Sequence, residues 1–143
     1  MSLFDHLPKL GYSRDLHRHL RGLSITCDDY HGDAVYQITS LVMLAVSMVF
    51  MANYYYGLFN HPRYTRRRIW LLHLLVGAGA MGIFAYNRAA NGLPVGKHCE
   101  EIQFTVLDCT LFGFTAALYT CILCFLFSML LKWKSIANKK IPF

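Results

Sequence analysis

Proline is scarce in this chain and absent from every place where it would break a helix. The four prolines, Pro8, Pro62, Pro94 and Pro142, all lie outside three long apolar stretches, so no ring interrupts a backbone hydrogen-bond ladder inside them. Acidic residues are also few, eight Asp and Glu against fourteen Lys and Arg. They show no pairing suited to general acid–base work, and no Ser–His–Asp arrangement or metal-ligand spacing occurs. An enzyme is therefore not expected, nor is a cofactor. There is no internal repeat and no low-complexity tract. A cleavable signal peptide is missing as well. Residues 1–24 contain no apolar run of about 7–15 residues, and carry Asp5, Lys9, Arg14, Asp15, Arg18 and Arg21 instead. The first apolar stretch is thus expected to act as its own insertion signal. Neither end carries a lipidation motif.

What remains is greasy. Of 143 residues, 55% are hydrophobic, above the roughly 45–50% of a soluble domain, and the excess is gathered into three blocks. These predict an all-α, polytopic membrane protein. Residues 1–33 form an amphipathic interfacial segment, residues 34–131 a domain of three transmembrane helices (34–59, 69–86 and 102–131), and residues 132–143 a basic tail. Buried helices of a soluble bundle would show a polar stripe every 3.6 residues, and residues 111–131 show little of one. The second span, about 18 residues, is near the lower limit for crossing. The third would be about 45 Å long at 1.5 Å per residue, against a hydrocarbon core of about 30 Å. It must tilt or project, and its first two turns are expected in headgroups or water.

Charge predicts sidedness. His61-Pro62-Arg63-Tyr64-Thr65-Arg66-Arg67-Arg68 joins the first two spans, and Lys132, Lys134, Lys139 and Lys140 follow the third. Both segments fall on one side of a three-span protein. The other side has Arg21, Arg88 and Lys97 near span ends, with Asp28, Asp29, Asp33, Glu100 and Glu101. The positive-inside rule then puts the loop and C-terminus in the cytoplasm and the N-terminus outside. Tyr54, Tyr55, Tyr56, Tyr64, Trp70 and Trp133 fall at the inner boundary, and Tyr30, Tyr36 and Tyr86 at the outer one, as amphipathic rings prefer.

In the N-terminal segment Leu3, Phe4, Leu7 and Leu10 share one helical face. After Gly11 a second short helix is expected, with Ser13 as N-cap and Gly22 just past its end. Leu16, Leu20 and Leu23 lie on one side of it, and Arg14, His17, Arg18 and Arg21 on the other. This helix lies on the lipid headgroups, plugs the mouth of an oligomer, or is disordered.

Cys27 and Cys99 fall on the same side of the membrane, so they are either a disulfide in an oxidising compartment or two free thiols. Cys121 and Cys124 form a C-x-x-C about 17 residues into the third span, too deep to exchange with the other two, and read as small apolar filler. His73 alone stands near a span interior. With no second histidine at matching depth, haem is not expected, and a hydrogen bond across a helix interface is.

Three groups of residues could carry function. Small residues, Gly77, Ala78, Gly79 and Gly82 in the second span and Gly113 and Ala117 in the third, allow close backbone approach. They serve packing within one protomer, self-association, or both. Glu101, Thr105, Asp108, Phe112, Thr115 and Tyr119 recur at steps of three or four residues and so share one helix face. A carboxylate at membrane depth marks a candidate site. In a ring of subunits this stripe would form an acidic vestibule over an aromatic constriction. The plainer alternative leaves Asp108 in headgroup water, hydrogen-bonded or paired with Lys97 or Arg88. Finally, Arg63, Arg66, Arg67, Arg68, Lys132 and Lys134 form an inner basic crown. It either reports topology alone or holds anionic lipid, a nucleotide or an oligonucleotide.

The general plan resembles the small channel effectors of bacterial anti-phage defence, the HalB type. The resemblance lies in architecture and rests on no motif. It implies an oligomer that opens on binding a nucleic-acid-like signal. Two functions are carried forward. One is a homo-oligomeric channel or pore, ligand-gated or not, lined by the third span, since three helices leave no lumen and a pore needs symmetric assembly. The other is a non-catalytic accessory subunit of a larger membrane complex.

Overall fold

The computed structural model describes residues 11–23, 34–57, 61, 64, 66–91 and 104–135. It is all-helical. A short helix α1 (Arg14–Leu20) precedes three long ones, α2 (Val35–Tyr56), α3 (Arg67–Ala90) and α4 (Val106–Leu131), and α4 runs into a 3-10 turn over Lys132–Lys134. The three long helices are each long and apolar enough to cross a membrane.

The second and third spans differ from expectation for physical reasons. The second span is longer at both ends than 69–86, because Arg67, Arg68, Asn87 and Arg88 continue the helix. A polar residue ends a hydrophobic run without ending a helix, since its backbone still bonds within the segment and long basic side chains reach out to water. The third span starts at Val106, with Phe104 and Thr105 non-helical ahead of it. Its 26 residues measure about 39 Å, closer to a bilayer than the expected length.

The chain divides into two compact units, residues 1–42 with 82–116, and residues 43–81 with 117–143. In the first unit, α1 is closed at both ends. The Ser13 hydroxyl accepts the Leu16 N–H at 3.3 Å, filling one of the orphan donors of a helix start. At the other end Gly22 takes φ 101°. Its N–H donates to His19 O at 2.9 Å while the Leu23 N–H reaches Arg18 O at 3.2 Å, the paired bonds of a Schellman stop. Leu16 and Leu20 are wholly buried, so α1 packs its apolar face on its own chain. Elsewhere in this unit α3 and α4 meet at Gly82 and Gly113. A Cβ added at Gly113 would lie 2.8 Å from Gly82 O.

The second unit has a core of Met51, Tyr54, Tyr55, Trp70, Leu74 and Cys124, with Phe50, Ile69, Phe125 and Leu131 packed against it. Its polar atoms are paired. Tyr55 OH and the Ser128 hydroxyl share a hydrogen bond, and Trp70 Nε1–H donates to the same Ser128 oxygen at 3.2 Å. His73 Nε2–H donates to Phe50 O at 2.9 Å, the cross-helix bond expected of it. Gly77 lies against the Phe50 ring.

Candidate functional site

Asp108 is where the sequence placed the centre of interest, and its carboxylate is taken up by hydrogen bonds within the chain. It stands in the first turn of α4. Its Oδ2 accepts the Thr105 N–H and the Thr105 Oγ1–H, both at 2.9 Å, and Thr105 Oγ1 accepts the Asp108 N–H at 3.4 Å. This reciprocal pair is a capping box, with the acid also matched to the positive end of the helix dipole. The other oxygen, Oδ1, accepts the Ser13 N–H at 2.9 Å. Ser13 is the N-cap of α1, so one carboxylate joins the starts of two helices 95 residues apart in sequence.

Beside it the aromatics close over one another. Phe112 sits edge-on to Tyr12 and to Tyr36, with ring centroids 5.8 Å apart in each case. Tyr12 OH and Tyr36 OH are 3.0 Å apart, and His17 Nδ1 lies 2.6 Å from the Tyr36 hydroxyl. His19 stacks on Phe104 at 5.1 Å. Residues 11–23 are thus latched to α2 and α4 by hydrogen bonds and rings together.

The predicted stripe is therefore not one open face. Phe112 and Thr115 are buried by their own chain, and Thr115 Oγ1 donates to Leu111 O at 2.7 Å. Thr105 is exposed, Asp108 and Tyr119 are half-buried, and Glu101 lies outside the described residues. Among the described residues the hydrogen-bond partners of Asp108 are Thr105 and Ser13, and Lys97 lies outside those residues. The sequence held a signal for half of this: a threonine three residues ahead of an acid at a helix start is a capping pattern. No sequence signal linked Asp108 to Ser13, or Phe112 to Tyr12 and Tyr36, because those contacts are made across long separations.

Of the basic crown, Arg66, Arg67, Arg68 and Lys134 are exposed, Lys132 is half-buried, and Arg63 lies outside the described residues. The small residues divide. Gly77, Ala78 and Gly113 are buried, Gly82 and Ala117 are half-buried, and Gly79 is exposed, with open space where a Cβ would point. The Cys27–Cys99 pair lies outside the described residues. Cys124 belongs to the second core, and Cys109, Cys121 and Cys124 are free thiols. Among the described residues no group of three His, Cys, Asp or Glu is placed to hold a metal.

Fold and site together define a class, an all-α integral membrane protein with three helices able to span and a latched amphipathic helix before them. Compared with protein-family models, with curated proteins and with solved structures, the chain matches none.

Proposed function

We propose that this chain is a non-catalytic subunit of a membrane assembly, working through lateral helix contacts within the bilayer, with its N-terminus outside and its C-terminus in the cytoplasm. The observation that carries this reading is the use of the α4 polar stripe inside the chain, where Asp108 holds Ser13 and Phe112 is covered by Tyr12 and Tyr36. The large hydrophobic side chains left facing outward include Leu41, Met48 and Val49 on α2, Leu72, Val76 and Ile83 on α3, and Phe114, Ile122 and Leu130 on α4. Such faces suit lipid or another helix, and they offer ions nothing to replace water of hydration. On α3 exposed Gly79 and Ala80 leave room for a partner backbone to come close, where van der Waals packing holds helices together.

The test is the state of the purified chain. Alone in mild detergent it should be monomeric or polydisperse, and cross-linking in its native membrane should capture a different protein. Replacing Gly79 by Leu should abolish that capture and leave the melting temperature of the chain unchanged. A discrete symmetric oligomer of this chain alone would sink the reading.

That last outcome would favour the homo-oligomeric channel, and with it the resemblance to defence effectors. One observation speaks for it. Exposed Thr105 and Thr110 stand ahead of exposed Phe114, Leu118 and Ile122 along α4, so a ring using this face would have a hydroxyl mouth and a hydrophobic throat that gates by dewetting. Conductance in planar bilayers, with reversal potential moved toward anions by Thr110→Lys, would be its signature.

A further inference from the structure

The charges of the chain are segregated between its two units. All eight Asp and Glu fall within residues 1–42 and 82–116. Residues 43–81 and 117–143 hold Arg63, Arg66, Arg67, Arg68, Lys132, Lys134, Lys139 and Lys140 and no acidic residue at all. The side chains of the second unit therefore carry a strong excess of positive charge.

The second unit also fixes where part of that charge sits. Trp70, in the first turn of α3, donates to Ser128 near the end of α4 at 3.2 Å. This puts Arg66, Arg67 and Arg68, half a turn to one turn before Trp70, at the same end of the unit as Lys132 and Lys134. The Tyr56 hydroxyl donates to Leu131 O. Ser135, itself buried, donates from Oγ to Tyr55 O at 3.0 Å, holding the 3-10 turn of Lys132, Trp133 and Lys134 against the end of α2. The Tyr54 hydroxyl donates to Tyr64 O at 3.2 Å, fixing a point of the loop that carries the arginines. The indole of Trp133 is 73% exposed between its two lysines. Cations arranged around an exposed amphipathic ring, at the ends of membrane-length helices, match the phosphate and the glycerol region of a lipid headgroup. Because the backbone beneath them is already ordered, little conformational entropy is lost when a ligand is bound.

We propose that Arg66, Arg67 and Arg68, with Lys132, Trp133 and Lys134, form a binding site for the phosphate headgroup of anionic phospholipid. The site holds lipid from the surrounding annulus as a resident counter-charge.

Native mass spectrometry of the intact chain, released from detergent after incubation with equimolar phosphatidylglycerol and phosphatidylcholine, tests this. Phosphatidylglycerol should be retained on the protein at least several-fold over phosphatidylcholine. The Lys132→Gln/Lys134→Gln variant and the Arg67→Gln/Arg68→Gln variant should each lose most of that preference. Arg14→Gln/Arg18→Gln, which alters two cations of the other unit, should keep it. Circular dichroism melting in zwitterionic micelles checks that each variant is folded. Should a variant prove unfolded, retention by the unaltered chain at rising ammonium acetate gives the reading, since a headgroup ion pair must weaken with salt. Equal retention of the two lipids, or a preference that survives both crown variants, overturns the proposal. So does retention of ATP or inorganic phosphate in place of phosphatidylglycerol when all are offered together, which would make the crown a soluble-anion site.

Discussion

At the residue scale the chain turns on Asp108, which accepts three short hydrogen bonds from two segments. Replacing it by Ala removes the capping box of α4 and leaves the Ser13 N–H without its acceptor. Losing a cap costs roughly 0.5–2 kcal/mol, and hydrogen bonds to a charged group are worth about 1.5–3 kcal/mol. Asp108→Ala should therefore release α1 before it unfolds the spans. Limited trypsin digestion in micelles should show faster cleavage after Arg14 and Arg18, with the helical signal nearly unchanged. Unaltered cleavage rates would mean the carboxylate does not hold the latch. His73 makes a smaller contribution. Its bond to Phe50 O crosses from α3 to α2, and such bonds within membranes average about 0.6 kcal/mol. This contact was legible in the sequence, since a lone histidine inside a span must find an acceptor nearby. The role of Asp108 was only partly legible. Its position marked it as unusual, whereas its partner Ser13 became visible only once folding brought the N-terminal segment back.

At the element scale the two kinds of glycine on these helices separate cleanly. Gly113 is pressed on the Gly82 carbonyl, so that an added carbon would lie only 2.8 Å from the oxygen, whereas Gly79 has nothing within 4 Å. Gly113→Ala should force α3 and α4 apart and lower the melting temperature. Gly79→Ala should leave it equal or raise it, since alanine is the better helix former by up to about 1 kcal/mol. If the two variants melted alike, the close approach of α3 and α4 would be in doubt. Sequence spacing pointed to both positions equally. It could not divide them, because small size permits close packing without saying which neighbour comes close. The ends of α1 were legible for the opposite reason. Ser13 and Gly22 act locally, the first through its hydroxyl and the second through a positive φ, and local chemistry is written in adjacent residues. Forcing a side chain onto Gly22 costs about 1–2 kcal/mol, so Gly22→Ala should loosen α1 and raise cleavage after Arg18 as Asp108→Ala does.

At the scale of the whole molecule, the number of spans follows from the apolar blocks, because a backbone in lipid has no partner except itself and must be helical. Which way the chain faces is a separate matter, set by loop charge. Arg66, Arg67 and Arg68 stand at the start of α3, and Lys132 and Lys134 follow α4, while the short stretch after α3 opens with uncharged, exposed Asn91. Retention of a basic loop on the cytoplasmic side acts on each end independently of how the helices later pack, so it can be read without the fold. Two single cysteines test it in a chain otherwise free of cysteine, one at Arg66→Cys and one at Asn91→Cys, both at exposed positions. In intact cells a membrane-impermeant maleimide should label the second and leave the first untouched until the membrane is opened. Labelling of the first in closed cells would turn the molecule over. It would move the basic crown to the outer surface, and the lipid it holds would then have to come from the outer leaflet.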